Sequence, residues 1–311
     1  MQKAWMRQLS VTLTSTKYKK SMVFTQDSFA MTVTGYKYMS TLKDSCTIKI
    51  SNLTYSEIVQ IIDGEFYKVE VKCGYRGSGE FTIFKGGVLY VSNDLGDRRT
   101  NIVTILCASE LVAKYGQRRL NLSLNSGINL WSATKYVCRR AGFKDTELTS
   151  RLKSKFIDNT TNVSDTVGAW VQKIANENGT LLTNTDGQNG AILSIFDAND
   201  ANLRVIELTD RNISLTGGYP RLNSEGVTLT VMPSFNFQCG DIIKLDNSII
   251  NLTVQSASEA SKNLGFKLDP GSQYFIYQIR YTLQNRGQSF GMEILAKSRS
   301  LLSRVTGINQ N

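Results

Sequence analysis

The side chains able to do chemistry in this chain are carboxylates, thiols, amines and hydroxyls, because its 311 residues include no histidine. Without an imidazole base, no Ser-His-Asp or Cys-His nucleophile can be assembled. Zinc hydrolase and non-haem iron centres lose their main ligand for the same reason. Carboxylate-only catalysis, as in glycosidases, survives this test. The candidate acids are Glu57, Glu70 and Glu80, at cap, strand or turn positions that read as solvated surface. The five cysteines, Cys46, Cys73, Cys107, Cys138 and Cys239, are dispersed and form no Cys-x-x-Cys pair. An odd, scattered set argues against a disulfide framework and a zinc site, and for small apolar core residues. The expectation is a chain with no catalytic residue, no cofactor and no metal.

Length and composition bound the elements that would position such groups. A chain of 311 residues suggests two or three units of about 100–150 residues each. Hydrophobic content of 41% with 20% charge is that of a folded protein. No apolar run approaches the ~18–20 residues needed to cross a bilayer, so no membrane insertion is expected. The start, Met1-Gln2-Lys3-Ala4-Trp5, lacks the apolar core of a secretory signal, which predicts folding in a reducing cytoplasm. Asn-x-Ser/Thr triplets at Asn52, Asn121, Asn159 and Asn251 then imply no glycosylation. The formal charge of +10 is spread out, its densest groups being Lys17-Tyr18-Lys19-Lys20, Arg98-Arg99, Arg118-Arg119 and Arg139-Arg140. A diffuse excess reads as solvated surface with non-specific affinity for acidic partners. No nucleic-acid-binding motif accompanies it.

The first part of the chain, to about Tyr115, is strand-rich by its period of two. Leu9, Val11 and Leu13 alternate with polar residues, as do Phe29, Met31 and Val33 before Gly35 interrupts. Ser15 to Asp27 between them reads as a polar, basic loop or a long projecting hairpin. Ile48 and Ile50 lead into Asn52-Leu53-Thr54 and the apolar run Ile58-Val59-Gln60-Ile61-Ile62. Thr54 and Glu57 have the spacing of a capping box, and Gly64 is placed to end that helix in the left-handed conformation. Val69, Val71 and Cys73 then alternate, followed by a Gly74-Tyr75 turn and the strand Phe81 to Val88. Asp94 to Asp97 is a turn by composition, before a strand from Ile102 to Cys107.

In the middle, Leu130, Trp131, Thr134, Val137, Cys138 and Ala141 form one helical stripe that Gly142 stops. Ser164 is placed to cap a second helix with the stripe Val167, Trp170, Val171, Ile174 and Ala175, ended by Asn178-Gly179. Trp131 and Trp170 read as core anchors. Strands return with Val227 to Val231, Ile242 to Leu245, Ile250 to Val254, Phe275 to Leu283 and Phe290 to Ala296. Pro220, Pro233 and Pro270 fall between these runs, where a missing N–H does least harm.

The run Ile48-Lys49-Ile50-Ser51-Asn52-Leu53-Thr54, then Gly74-Tyr75, then Ile83-Phe84-Lys85-Gly86 resembles the first tube domain of baseplate hub proteins of contractile-tailed bacteriophages. Gly218-Tyr219-Pro220, Pro233 to Asp241 and the Tyr274–Ala296 hairpin are similar to that family's second tube domain. The chain departs from the family pattern in carrying Tyr281 where relatives often have histidine. The resemblance implies a mainly β, α+β fold with two tube-type β-barrel domains, residues 1–116 and 201–311. A helix-containing module, residues 117–200, lies between them.

It also implies a homotrimer with pseudo-sixfold symmetry that joins the tail tube protein to the central spike protein and lets DNA pass without specific binding. Tape-measure and baseplate wedge proteins are further partners, and the place is the virion, after assembly in the host cytoplasm. Two readings stand beside it. One is the hub of a type VI secretion or phage-like injection particle. The other is a carboxylate-dependent cell-wall hydrolase at the tail tip.

Overall fold

Apolar side chains at every second position create strands with one dry face, and this pattern recurs along most of the chain. The computed structural model describes residues 7–15, 17–39, 44–77, 79–97, 100–109, 119–143, 146–187, 190–197, 203–209, 220–223, 226–233, 236–246 and 273–298. The first strands are β1 (Arg7–Ser15), β2 (Lys20–Thr25), β3 (Ala30–Tyr38), β4 (Ser45–Ser51), β5 (Lys68–Tyr75), β6 (Gly79–Asp97) and β7 (Thr100–Ser109). Helix α1 (Tyr55–Asp63) lies between β4 and β5. The middle holds β8 (Leu122–Leu124), α2 (Leu130–Ala141), β9 (Thr146–Leu148), a 3-10 turn (Ser150–Ser154) and β10 (Thr161–Val163). It continues with α3 (Val167–Glu177), β11 (Leu181–Gly187) and β12 (Gly190–Phe196). The last strands are β13 (Val205–Leu208), β14 (Arg221–Asn223), β15 (Gly226–Val231), β16 (Ile242–Leu245), β17 (Gln273–Gln284) and β18 (Phe290–Ser298). The fold is mainly β with a helical minority, as the sequence predicts.

Thirteen strands form one sheet in the order β14-β15-β18-β17-β3-β4-β7-β6-β5-β1-β2, with β16 also on β17 and β13 on β16. One apolar cluster runs beneath it, from Leu9 and Val11 of β1 through Val71 of β5 to Leu283 of β17 and Ile294 of β18. The sequence predicts two separate barrels. Among the described residues no closed barrel forms, because β3 pairs with β4 on one edge and with β17, not β2, on the other.

Strand β17 is therefore the junction. Gln273–Phe275 runs antiparallel to β16, and Gln278–Gln284 pairs with β3. Strand β18 takes the opposite edge along both stretches. A bulge at Tyr277 separates the two registers. One extra residue reverses which parity faces the core. Tyr274 and Ile276 are buried before it, and Ile279, Tyr281 and Leu283 after it. The unbroken alternation predicted from Phe275 to Leu283 thus fails at one residue. Tyr277 is only partly buried, packing against the margin of the core, and takes the Lys297 ammonium 4.1 Å from its ring centroid. Phe275 is also buried, stacked 6.4 Å from Phe196 of β12.

Several local expectations change for identifiable reasons. Gly35 does not interrupt β3, which runs on to Tyr38; it sits opposite Tyr281 and Cys46. A Cβ there would stand 2.3 Å from the Tyr281 hydroxyl and 2.5 Å from the Ser45 carbonyl. Of the two readings of Ser15 to Asp27 the hairpin holds, since β2 pairs antiparallel to β1 and is anchored by buried Phe24. Gly74 and Tyr75 still belong to β5, and the turn begins at Arg76. Asp94 to Asp97 remains in β6, where the composition signal marks a register shift against β7.

Helix α1 carries the predicted capping box: Glu57 N donates to Thr54 Oγ1 at 3.3 Å and Thr54 N to Glu57 Oε2 at 2.7 Å. Gly64, however, keeps a right-handed φ of −76°, and Glu65 takes the positive φ of 47°. Close packing demands the glycine, since a Cβ would lie 2.3 Å from the Gln60 carbonyl and 2.4 Å from the Phe66 ring.

The middle segment builds a second apolar cluster, from Leu120 to Ile195, with α2 and α3 over the sheet β11-β12-β9. Gly142 closes α2 at φ 101°, as predicted. Helix α3 is capped by Thr166 and not by Ser164, because Thr166 Oγ1 is the acceptor within reach of Ala169 N, at 3.3 Å. Trp170 is a core anchor. Trp131 only packs against the cluster edge. The expected strand Ile250 to Val254, and Arg98-Arg99, Arg118, Gly218-Tyr219 and Pro270, lie outside the described residues.

Gly35→Ala should lower stability by about 1–3 kcal/mol, since the added Cβ would press on the buried Tyr281 ring and on the Ser45 backbone of the paired strand β4. Chemical denaturation measures it, and a midpoint equal to wild type would show that β3 and β17 can spread at this crossing.

Candidate functional site

The carboxylates that could have formed an active site are kept apart. Glu57 is consumed by the α1 cap. Glu70 on β5 accepts from Thr82 Oγ1 at 2.9 Å, with Lys85 at 3.4 Å and Lys72 at 3.8 Å. Glu80 lies opposite Gly74, four positions along β5 from Glu70. At a rise of ~3.3 Å per residue that is roughly 13 Å, beyond the ~5–9.5 Å that paired glycosidase acids require. The structure does not bring these three acids together.

The thiols are equally unsuited to chemistry. All five are reduced and buried. Burial pushes Cys46 and Cys138 up to about 12 and raises Cys73, Cys107 and Cys239 as well. A thiol held protonated is a poor nucleophile.

The places where this chain could act are its seam, its edges and its surface. In the seam, Thr183, Ser194 and Glu147 form one polar row across β11, β12 and β9. Thr183 Oγ1 donates to the Cys239 carbonyl at 3.3 Å, and Ser194 Oγ to Glu147 Oε2 at 2.9 Å. Facing them, Arg204 Nε donates to Asp241 Oδ1 at 2.9 Å, and the same guanidinium reaches Asp241 Oδ2. Gln238 N adds a bond of 2.7 Å to that carboxylate. The Asp241 hydrogen bond raises the pKa of Arg204. Buried Lys37 on β3 donates to Gln238 Oε1 at 3.2 Å, tying this turn to the first part of the sheet. A cavity of about 660 Å³ remains, walled by Trp131, Glu147, Lys153, Arg204 and Asp241 among others. Its two acids are already engaged, so it reads as a joint and not as a reaction centre.

A second clasp lies at the other end of β17. Arg7 Nη1 donates to the Gln284 carbonyl at 3.0 Å and Nη2 to the Gln288 carbonyl at 3.1 Å. Its guanidinium stands 5.3 Å from the Phe290 ring centroid. The first described residue thus holds the last described hairpin.

Sequence reasoning assigned no binding residue, and the structure shows a candidate surface that it missed. Tyr55, Val59 and Ile62 of α1 lie at i, i+4 and i+7, and Tyr55 and Ile62 are 83% and 55% exposed. The core stripe of that helix is Ile58 and Ile61, so the helix has more apolar residues than one face can bury. That surplus was the available signal. Among the described residues the main strand path ends in edge strands β2 and β14, and β13 is paired on one side only.

The molecule is thus a sheet extended from one half of the chain into the other through a shared strand, with a helical layer inserted between. The profile of the family described as Baseplate hub gp41 matches residues 8–296, and the chain belongs to that family. It is a structural component of a phage tail baseplate, and hence of the virion. No curated protein matches the sequence.

Solved structures share the fold. The 43 kDa tail protein of prophage MuSo2 from Shewanella oneidensis superposes with a TM-score of 0.62 at 11% identity, covering 95% of this chain and 98% of that one. The E. coli c3393 protein, a type VI secretion component, gives 0.58 at 10%, covering 86% and 73%. A chain of the half-lidded Francisella PdpA-VgrG complex gives 0.57 at 8%, covering 94% and 58%. The recognition made from the residues around Asn52 and Gly74 agrees with these findings.

Thiol reagents should label the native chain very slowly and all five thiols once it is unfolded, as counted by mass spectrometry. The folded-state thiol pKa values are raised, so the stability tied to the protonated thiols is full below pH ~9 and is lost as pH rises toward 12. Thermal melts at increasing alkaline pH check this, and rapid labelling at neutral pH would contradict the burial.

Proposed function

We propose that this chain is a baseplate hub that assembles as a homotrimer around the tail axis. In this reading residues 1–116 and 201–311 act as two tube-type β domains, joined through β17 and not closed as separate barrels, and residues 117–200 are a helical module between them. Three copies then place six similar β-units around one axis. A threefold object can in this way mate with a sixfold tail tube on one face and a threefold spike on the other. The single observation that carries the reading is the sharing of β17 between β16 and β3, which holds two β-rich segments in one rigid sheet.

Further support comes from the edge strands β2 and β14, which pairing between neighbouring copies would satisfy. The likeness to a chain of the Francisella PdpA-VgrG complex supports a spike-facing role. The separation of Glu70 from Glu80 supports a purely structural part, without catalysis. Tape-measure and wedge proteins are additional partners, and assembly takes place in the host cytoplasm. DNA crosses the ring without specific contacts, with the excess Lys and Arg turned outward or toward protein partners, because a basic lumen would retain phosphates.

Light scattering on the purified chain should give three times the monomer mass, and imaging of the particle should give a ring whose lumen is not dominated by Lys and Arg. A strict monomer at high concentration that binds neither tube nor spike protein would overturn the hub. A lumen lined mainly with Lys and Arg would overturn the proposed charge placement alone.

A further inference from the structure

The middle segment carries a surface that the hub reading leaves unused. Trp131 is partly exposed at the start of α2, and two ammonium groups stand over its one indole. Lys135, one helical turn on, lies 4.7 Å from the ring centroid, and Lys153 from the 3-10 turn lies 5.5 Å away. Like charges drawn to one ring repel each other, so the arrangement gains from an anion between or above them. Neither lysine makes an ion pair within the chain among the described residues.

The backbone holds the group in place. Leu130 N donates to the Lys155 carbonyl at 2.8 Å, and Asn129 pairs with Phe156. Lys155 is exposed, and Phe156 is 57% exposed, beside the same helix start. The result is an aromatic and basic surface of Trp131, Lys135, Lys153, Lys155 and Phe156. It adjoins the 660 Å³ cavity, whose walls include Trp131 and Lys153.

We infer that this surface docks an acidic segment of a partner protein, its carboxylates on the lysines and an apolar side chain against Trp131 and Phe156. Charge complementarity selects the sign of the partner. The neighbouring cavity wall selects its class. That wall balances Lys153 and Arg204 against Glu147 and Asp241, so it offers no net attraction to a phosphate polymer of uniform negative charge. A peptide can carry a neutral or cationic residue there. The inference does not depend on the trimer, since every residue it uses belongs to one copy.

The test uses the full chain and a fluorescein-labelled peptide of alternating glutamate and leucine, followed by anisotropy at low and high salt. The wild type should bind, and salt should weaken the complex. Lys135→Glu/Lys153→Glu should weaken binding at least about fivefold, as two exposed attractions become repulsions. Lys135→Gln/Lys153→Gln should give a smaller loss with the same sign, and Trp131→Ala should also weaken binding. Circular dichroism confirms the fold of each variant, and the glutamine pair serves if the reversal fails to fold. Absence of binding by the wild type, or binding by both lysine variants equal to that of the wild type, would overturn the inference. So would a single-stranded oligonucleotide of equal charge that binds more tightly at the same salt and competes with the peptide.

Discussion

One strand with two partners on a single edge is the constraint from which the architecture follows. Hydrogen-bonding groups on a strand edge must be paired, covered or left to water. Strand β17 is long enough to satisfy β16 with its first residues and β3 with its last, while β18 fills the other side. The bulge at Tyr277 makes this possible. It shifts the ladder by one residue and lets the strand bury Tyr274 and Ile276 on one side of the step and Ile279 and Tyr281 on the other. Backbone bonds on either side of it, Met39 N to the Tyr277 carbonyl at 2.9 Å and Ile276 N to the Asp241 carbonyl at 2.9 Å, hold the exchange of partners in place.

Rigidity in a structural protein follows from such sharing. Two closed barrels on a linker would move independently, as domains with small interfaces do. A continuous ladder converts their relation into backbone hydrogen bonds, and the clasps at Arg7 and Lys37 add side-chain ties between segments distant in sequence. The polar seam beneath β12 differs in character. Thr183 donates across it to the Cys239 carbonyl, beside the turn that the Arg204–Asp241 pair braces, so orientation there is set by a directional bond as well as by apolar contact. Phe275 against Phe196 supplies the apolar part of the same joint.

The helices show how capping and packing divide the work. In α1 the capping box satisfies the first turn, and Gly64 gives Phe66 room to fold back under the helix end. In α2 the left-handed Gly142 does the terminating, and conformation, not contact, explains that glycine. The same residue type at two helix ends therefore answers two different requirements. Both are local in sequence, yet only the second can be read without knowing which ring sits beside the backbone.

The residues alone determined the mainly β character, the two central helices with their buried stripes, the cap at Thr54 and the C-terminal hairpin. Each depends on a period of two or 3.6, or on contacts within a few positions. They also removed imidazole chemistry outright, and the runs around Asn52 and Gly74 carried the family. Only the tertiary structure decided that β3 joins β17, that Tyr277 is the extra residue and that Gly35 makes room for Tyr281. Those pairings link positions more than two hundred residues apart, where alternation says which face is dry but not which strand lies next to it. Trp131 followed the same rule. Its place on a helical stripe matched the core, and only the lysine from the 3-10 turn, folded back across its ring, assigned it to the surface.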